Sequence, residues 1–157
     1  MTNDGRTMDL AAAFALLTPR AIRWAEQRAC EIAASGEPLA ADEIALARSV
    51  GVADPERIRV SLLVRLPLPD DLMLRNAALS AGLLGPDMLG LTLGHGIYIR
   101  RGYKSARLLS HECRHVRQYE QAGSIAAYLS EYLRQVVQSG YWDAPYEIDA
   151  RAHEREG

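Results

Sequence analysis

The sequence predicts an α+β domain, mainly helical, with a small antiparallel sheet or hairpin. Three observations carry that prediction. Apolar residues recur at spacings of three and four toward both ends of the chain, the mark of helices with one buried face. Alternation by two appears only in the middle, at residues 57–62 and on either side of Gly94-His95-Gly96. The chain has 157 residues, enough for one domain, and its 48% hydrophobic and 24% charged content excludes a mainly disordered chain.

The elements follow in order. Residues 1–6 read as a flexible tail, and residues 7–157 as a single domain. Within it, residues 7–85 form a helical lead-in with one strand, and residues 86–157 hold a hairpin and the helices that carry the chemistry. Residues 9–17 read as a short helix. Thr18-Pro19 resembles a cap followed by proline at the first helical position, opening a second helix that Gly36 stops. Its apolar stripe is Ile22, Ala25, Ala29 and Ile32. A third helix covers residues 41–50 and ends at Gly51. Ile58, Val60 and Leu62 alternate with Arg57, Arg59 and Ser61, which predicts a strand reaching toward Pro67 and Pro69. Asp70 or Asp71 caps a helix that Gly85-Pro86 breaks.

Leu91-Thr92-Leu93 and Ile97-Tyr98-Ile99 flank a glycine-rich turn, which predicts a hairpin. From Ser105 the chain reads as three helices, 105–121, 124–138 and 144–155, separated at Gly123 and Gly140. The last has Asp143 as its expected cap and Pro145 in its first turn.

Net charge is −2, which gives no electrostatic reason to expect nucleic acid or an anionic membrane as partner. Lys104 is the only lysine among 18 basic residues. The arginine excess reads as compositional bias. Cys30 and Cys113 both fall inside expected helices, which is no disulfide framework and suits a reducing compartment. The apolar run at residues 10–17 is too short to span a bilayer and lacks a signal-peptide cleavage site, so the expected location is cytoplasmic.

Residues 111–115 read His-Glu-Cys-Arg-His, an H-E-x-x-H motif on an expected helix. Four residues advance a helix by about 400°, so His111 and His115 lie about 40° apart on one face. Two imidazoles so placed can share one Zn²⁺ at about 2.0–2.1 Å. Glu112 sits beside them, positioned to take a proton from a metal-activated water. By this chain's own frequencies, two of four histidines and one of eleven glutamates fall at this spacing by chance about 0.7% of the time.

The rest of the helix sorts into faces. Leu109, Cys113 and Val116 form an apolar stripe; Leu108, His111, His115 and Gln118 form a second. Arg107, Arg114 and Gln121 form a third, which reads as solvated. Cys113 is expected in the core rather than on a metal.

Catalytic zinc usually takes three protein ligands. Gln118 and Gln121 stand where the extended motif H-E-x-x-H-x-x-G-x-x-H needs Gly and His, so that class is excluded. Glu120 points to the far side of its helix, and Glu131 lies on a polar stripe of the next helix. Glu147, in the first turns of the last helix, is the best-placed candidate; the alternative is a first-turn acid complementing the helix dipole. Asp149 lies about 200° round from it. His153 is a reserve ligand or a transition-state donor, or else a partner of the helix C-terminus.

With these residues in view, residues 89–154 resemble the small gluzincin-type zinc metallopeptidases, or minigluzincins, and in particular compact bacterial H-E-x-x-H domains. The resemblance rests on Gly94-His95-Gly96-Ile97-Tyr98-Ile99, Leu108-Leu109-Ser110-His111-Glu112, His115-Val116-Arg117-Gln118 and Pro145-Tyr146-Glu147-Ile148-Asp149-Ala150. It implies a zincin-like fold and one Zn²⁺ held by His111, His115 and Glu147, with Glu112 as general base. It also implies that the strand at residues 97–100 borders the cleft, where an extended peptide could add. Tyr98, Tyr146 and His153 are the candidate transition-state or outer-layer groups. Relatives of this kind often carry Asp or Asn four residues after the ligand glutamate; here Arg151 stands there.

The expected function is therefore a zinc-dependent peptidase or amide hydrolase acting on a peptide or protein. The main alternative is a non-catalytic zinc module for folding or partner binding. A third reading makes Arg57, Arg59, Arg65, Arg100, Arg101, Arg107, Arg114 and Arg117 a binder of nucleic acid or phosphates, which the overall charge opposes.

Overall fold

A computed structural model describes residues 4–157, with side chains from residue 11. Among the described residues there are six helices and four strands. They are α1 (Asp4–Ser35), β1 (Glu37–Pro38), α2 (Ala41–Ser49), β2 (Arg59–Leu63), α3 (Leu72–Ser80), β3 (Gly90–Leu93), β4 (Gly96–Arg100), α4 (Ala106–Ala122), α5 (Ile125–Asp143) and α6 (Pro145–Ala152). A short 3₁₀ turn at Pro55–Arg57 leads into β2. The fold class is the expected mainly helical α+β. No helix among the described residues is long and apolar enough to cross a membrane.

The sheet runs β1-β2-β4-β3. β3 and β4 form the expected antiparallel hairpin, with Leu91 opposite Tyr98 and Leu93 opposite Gly96. β2 pairs with β4 in parallel, so the sheet is mixed rather than antiparallel throughout. The parallel pairing became possible because the long β2–β4 connection, through α3 and β3, brings the chain back in the same direction.

Period-two alternation decides what each face covers. Val60, Ile97 and Ile99 face one way, together with Ile58, and pack against Leu109, Cys113 and Val116 of α4 and Ala47 of α2. Leu63, Leu91, Leu93 and Tyr98 face the other way and pack on Ala25, Ala29 and Ile32 of α1. The sheet is thus sandwiched between α1 and α4. Burial of a residue such as Ile97 is worth about 1.5–3 kcal/mol. A further cluster joins Phe14 of α1 to Tyr119 of α4 and to Tyr128, Tyr132, Leu133 and Val136 of α5.

The N-terminal expectations need correcting. The tail at residues 1–6 lies outside the described residues for 1–3, while residues 4–6 already belong to α1. Thr18-Pro19 does not start a new helix: α1 is continuous with Pro19 inside it. The proline forfeits one backbone hydrogen bond but its φ suits a helix. The Thr18 hydroxyl instead donates to the Phe14 carbonyl, and Phe14 and Leu17 are buried on one side of the proline and Ala25 on the other. The helical first half packs into the same body, with α1 covering a sheet face and β2 as an inner strand.

The remaining boundaries follow local chemistry. Asp71 caps α3 by accepting from the amides of Met73 and Leu74. Ser105 caps α4 through the Leu108 amide, and Ser124 caps α5 through the Ala127 amide. Gly140, at φ 79° and ψ 164°, kinks the end of α5 where a break was expected. The cap of α6 is Ala144, which makes no side-chain bond, rather than Asp143; Pro145 takes the first position.

Candidate metal centre

α4 carries His111, Glu112 and His115, and α6 packs alongside it and delivers Glu147. His111 Nε2 lies 3.2 Å from Glu147 Oε2, and His115 Nε2 lies 3.1 Å from Glu147 Oε1. One ligand atom from each residue falls within 4.8 Å of the others, close enough to hold one metal ion. The imidazole rings stand one turn apart, 5.0 Å between centroids. The site is buried: the side chain of Glu147 is 4% exposed and that of His115 is 7%.

The outer nitrogens decide which inner ones face the carboxylate. Gln118 donates its amide nitrogen to the Tyr146 carbonyl and to Asp149, both at 2.9 Å. Its amide oxygen is therefore turned to His115 Nδ1, 2.8 Å away. An amide oxygen only accepts, so Nδ1 of His115 carries a proton and Nε2 is the metal-facing atom. Tyr128 also reaches this corner, donating to the same Gln118 oxygen at 3.3 Å. On the other ring, Glu154 Oε1 lies 3.2 Å from His111 Nδ1, and Arg107 donates to the second oxygen of Glu154. Both imidazoles are thus oriented from outside, as ligating histidines usually are.

Burial alone would lower the pKa of His115, but Glu147 beside it more than offsets that, and the net is a rise to about 9. His111 is also raised, Glu147 again outweighing burial. Burial pushes the Glu147 carboxyl up, and the His115 charge with the two histidine hydrogen bonds overcomes it, holding the group well below the usual carboxylate range. Tyr132 donates to Glu147 Oε1 at 2.9 Å. A divalent cation held between these three groups would take the place of protons lying between imidazole and carboxylate, and its binding would release them. Two imidazole nitrogens and a carboxylate oxygen form a donor set suited to zinc.

Glu112 is 4% exposed and turned toward β3. Its Oε2 accepts from the Thr92 hydroxyl at 2.6 Å. A Cβ at Gly90 would stand 2.6 Å from Glu112 Oε1, so only glycine leaves room for the carboxylate. Glu112, His115 and Glu147 line one cavity of about 110 Å³, walled otherwise mostly by apolar and tyrosine side chains, with Thr18 and Thr92.

The three transition-state candidates are placed differently. Tyr98 faces α1 and donates to the Arg28 carbonyl, on the opposite sheet face from α4, so it is not brought to the site. Tyr146 stacks on Tyr128 at 4.8 Å, and its main chain supports Gln118. His153 turns back to the Asp149 carbonyl at 2.7 Å, away from Glu147. The tyrosines in contact with the cluster are Tyr132, which reaches Glu147, and Tyr128, whose hydroxyl lies 3.2 Å from His115 Nδ1.

Other assignments resolve plainly. Cys113 is fully buried in the core, and burial pushes its thiol up to about 12. Glu120 is turned away and binds the amides of Ala53 and Asp54. Glu131 pairs with Arg134 at the surface. Arg114 is not solvated as expected: it bridges Asp149 and the Val50 carbonyl, tying α4 to α6 and to the end of α2. Arg151 lies over the Trp142 ring, 3.9 Å from its centroid. Arg57, Arg59 and Arg117 share one groove, but Glu26, Asp54 and Glu120 line it too.

The strand expected to receive a peptide also changes. β4 lies between β2 and β3, so both its edges are used. β3 is the edge strand. The Arg100 amide donates to the Leu89 carbonyl, and counting by twos makes Leu91–Tyr98 and Leu93–Gly96 the bonded pairs. The backbone of Gly90 and Thr92 therefore faces outward, beside Glu112.

Thr92, Gly90, Gln118, Tyr128, Tyr132 and Glu154 were not singled out as site residues from sequence. Two left a signal. Gln118 shares the stripe of His111 and His115, and Glu154 follows Glu147 by seven residues, two turns on in a helix expected to reach residue 155, although α6 ends at Ala152. Comparison with protein-family models, curated proteins and solved structures finds no match to this chain.

Proposed function

We propose that this chain is a zinc-dependent hydrolase of peptide or amide bonds. The observation that supports it most is the convergence of two Nε2 atoms on one buried carboxylate, with a second carboxylate held at the same cavity. A zinc ion on His111, His115 and Glu147 would supply Lewis acidity and acidify a water to a pKa of about 7. Glu112, aimed by Thr92 and cradled by Gly90, takes a proton from water as the new C–O bond forms. The same carboxyl then gives that proton to the departing nitrogen as the C–N bond breaks. Gln118 and Glu154 hold the imidazoles in the tautomers this needs. The substrate backbone has the outward edge of β3 at Gly90 and Thr92 to pair with. A cytoplasmic setting belongs to the same proposal, in keeping with two free thiols.

One observation favours the non-catalytic zinc module instead: α1 and α3 wall the cavity at the site. Elemental analysis with assays on peptide libraries separates the two. The hydrolase reading expects one zinc per chain and turnover that disappears in Glu112→Gln with zinc retained. Full turnover in a zinc-loaded Glu112→Gln protein overturns the mechanism, and zinc without turnover on any peptide favours the module.

A further inference from the structure

The cavity beside the metal-competent cluster also says what kind of substrate fits, and this inference rests on the hydrolase reading. Its volume is about 110 Å³. A cavity of about 150 Å³ accepts benzene, so this one is sized for a smaller group, roughly a branched four-carbon chain. Its far wall is apolar, from Phe14 and Leu17 of α1, Leu74 of α3, Met88, and Leu133 of α5. The polar groups at its near end are engaged with each other: Thr92 with Glu112, and Tyr132 with Glu147. The rest of the lining is mostly hydrocarbon, with hydroxyls only at Thr18 and at tyrosines, so a charged or amide side chain would lose more hydration there than it regains. α1 packs against α5 along the same wall.

We propose that this pocket receives a leucine-like aliphatic side chain adjoining the bond that is cut, and discriminates against both smaller and aromatic side chains. The substrate class is accordingly amides and peptides with a branched aliphatic residue beside the scissile carbonyl. Each methylene buried there is worth about a factor of four in binding. Ala21 and Ala78 line the pocket, one on α1 and one on α3, and larger residues at either would fill it.

The test is calorimetric titration of the zinc-loaded full chain with acetyl, isocaproyl and hydrocinnamoyl hydroxamates. The isocaproyl compound should bind roughly a hundredfold more tightly than the acetyl one, and more tightly than the hydrocinnamoyl one. Ala78→Leu, or Ala21→Val should the first fail to fold, should reduce the isocaproyl preference at least tenfold while zinc content stays at one per chain. Equal affinities for the three compounds, or a preference untouched in a folded filled variant, overturn the proposal. Isocaproamide binding to metal-free protein, read by NMR, separates it from the hydrolase reading. Amide binding lost in Ala78→Leu, in a chain that takes up no zinc, sinks the hydrolase and keeps the pocket. Zinc uptake without amide binding sinks the pocket alone.

Discussion

Helix α4 carries two histidine–glutamate clusters, and they are built for different ends. Near its middle, His111 and His115 both face Glu147 from α6. Near its end, Glu120 faces a single histidine, His95 of the hairpin turn, at 3.1 Å. The Glu120 carboxylate also accepts from the amides of Ala53 and Asp54, one on each oxygen, so it works as a clasp between a loop, a turn and a helix. Glu147 has no backbone partner; its side-chain partners are two imidazoles and the Tyr132 hydroxyl, and the imidazoles are held from behind. Proximity of His to Glu is common to both. What separates the proposed metal centre from the clasp is the number of imidazoles and whether the carboxylate is bonded to backbone amides.

The largest effect that could break this distinction comes from the ligands. His115→Ala should lower zinc affinity on the order of a thousandfold or more, beyond the range seen for outer-layer changes; chelator competition measures it. His95→Ala should leave zinc affinity unchanged, and a comparable loss there would erase the difference between the clusters. Next in size, Glu112→Gln should lower hydrolysis by about 10²–10⁴-fold with zinc retained. Glu154→Ala, which frees His111 Nδ1 without touching the metal-facing atoms, should weaken zinc binding by about 10–100-fold.

The smallest effect concerns stability. Burial pushes the Glu120 carboxyl up, but two amides and His95 bring it below its ordinary 4.5. A carboxyl depressed in the folded state stabilises above its unfolded pKa, and that stabilisation fades as pH falls through the folded value. Glu120→Gln should thus cost about 1–2 kcal/mol at pH 7, shrinking below pH 4.5, with zinc binding intact. Urea melts across that range read it directly.

Much of this contrast was legible in sequence, for particular reasons. H-E-x-x-H fixes two histidines on one helical face by geometry alone, and Glu147 is the best-placed acid if the last helix returns alongside, with a dipole-complementing acid as the alternative. The hairpin and the serine caps at Ser105 and Ser124 are local signals and appear as expected. What local pattern could not supply was pairing at long range. β2 joined β4 in parallel because α3 and β3 intervene, and that left β3 as the edge strand in place of β4. Pro19 signalled a boundary that tertiary burial of α1 on both sides overrode. Tyr98, a reasonable donor by its sequence position, faces the wrong side of the sheet. Arg151 stood where an acid was expected, yet Glu154 brings a carboxylate to His111 from three residues further on. A motif comparison that reads fixed positions does not find that substitution.

The central claim is that zinc sits between His111, His115 and Glu147 rather than at Cys113 or His95. X-ray absorption at the zinc edge of the loaded protein tests it most directly. The account predicts one zinc with nitrogen and oxygen neighbours at about 2.0–2.2 Å and the outer scattering of two imidazoles. A sulfur neighbour at about 2.3 Å, or scattering from a single imidazole, would contradict it.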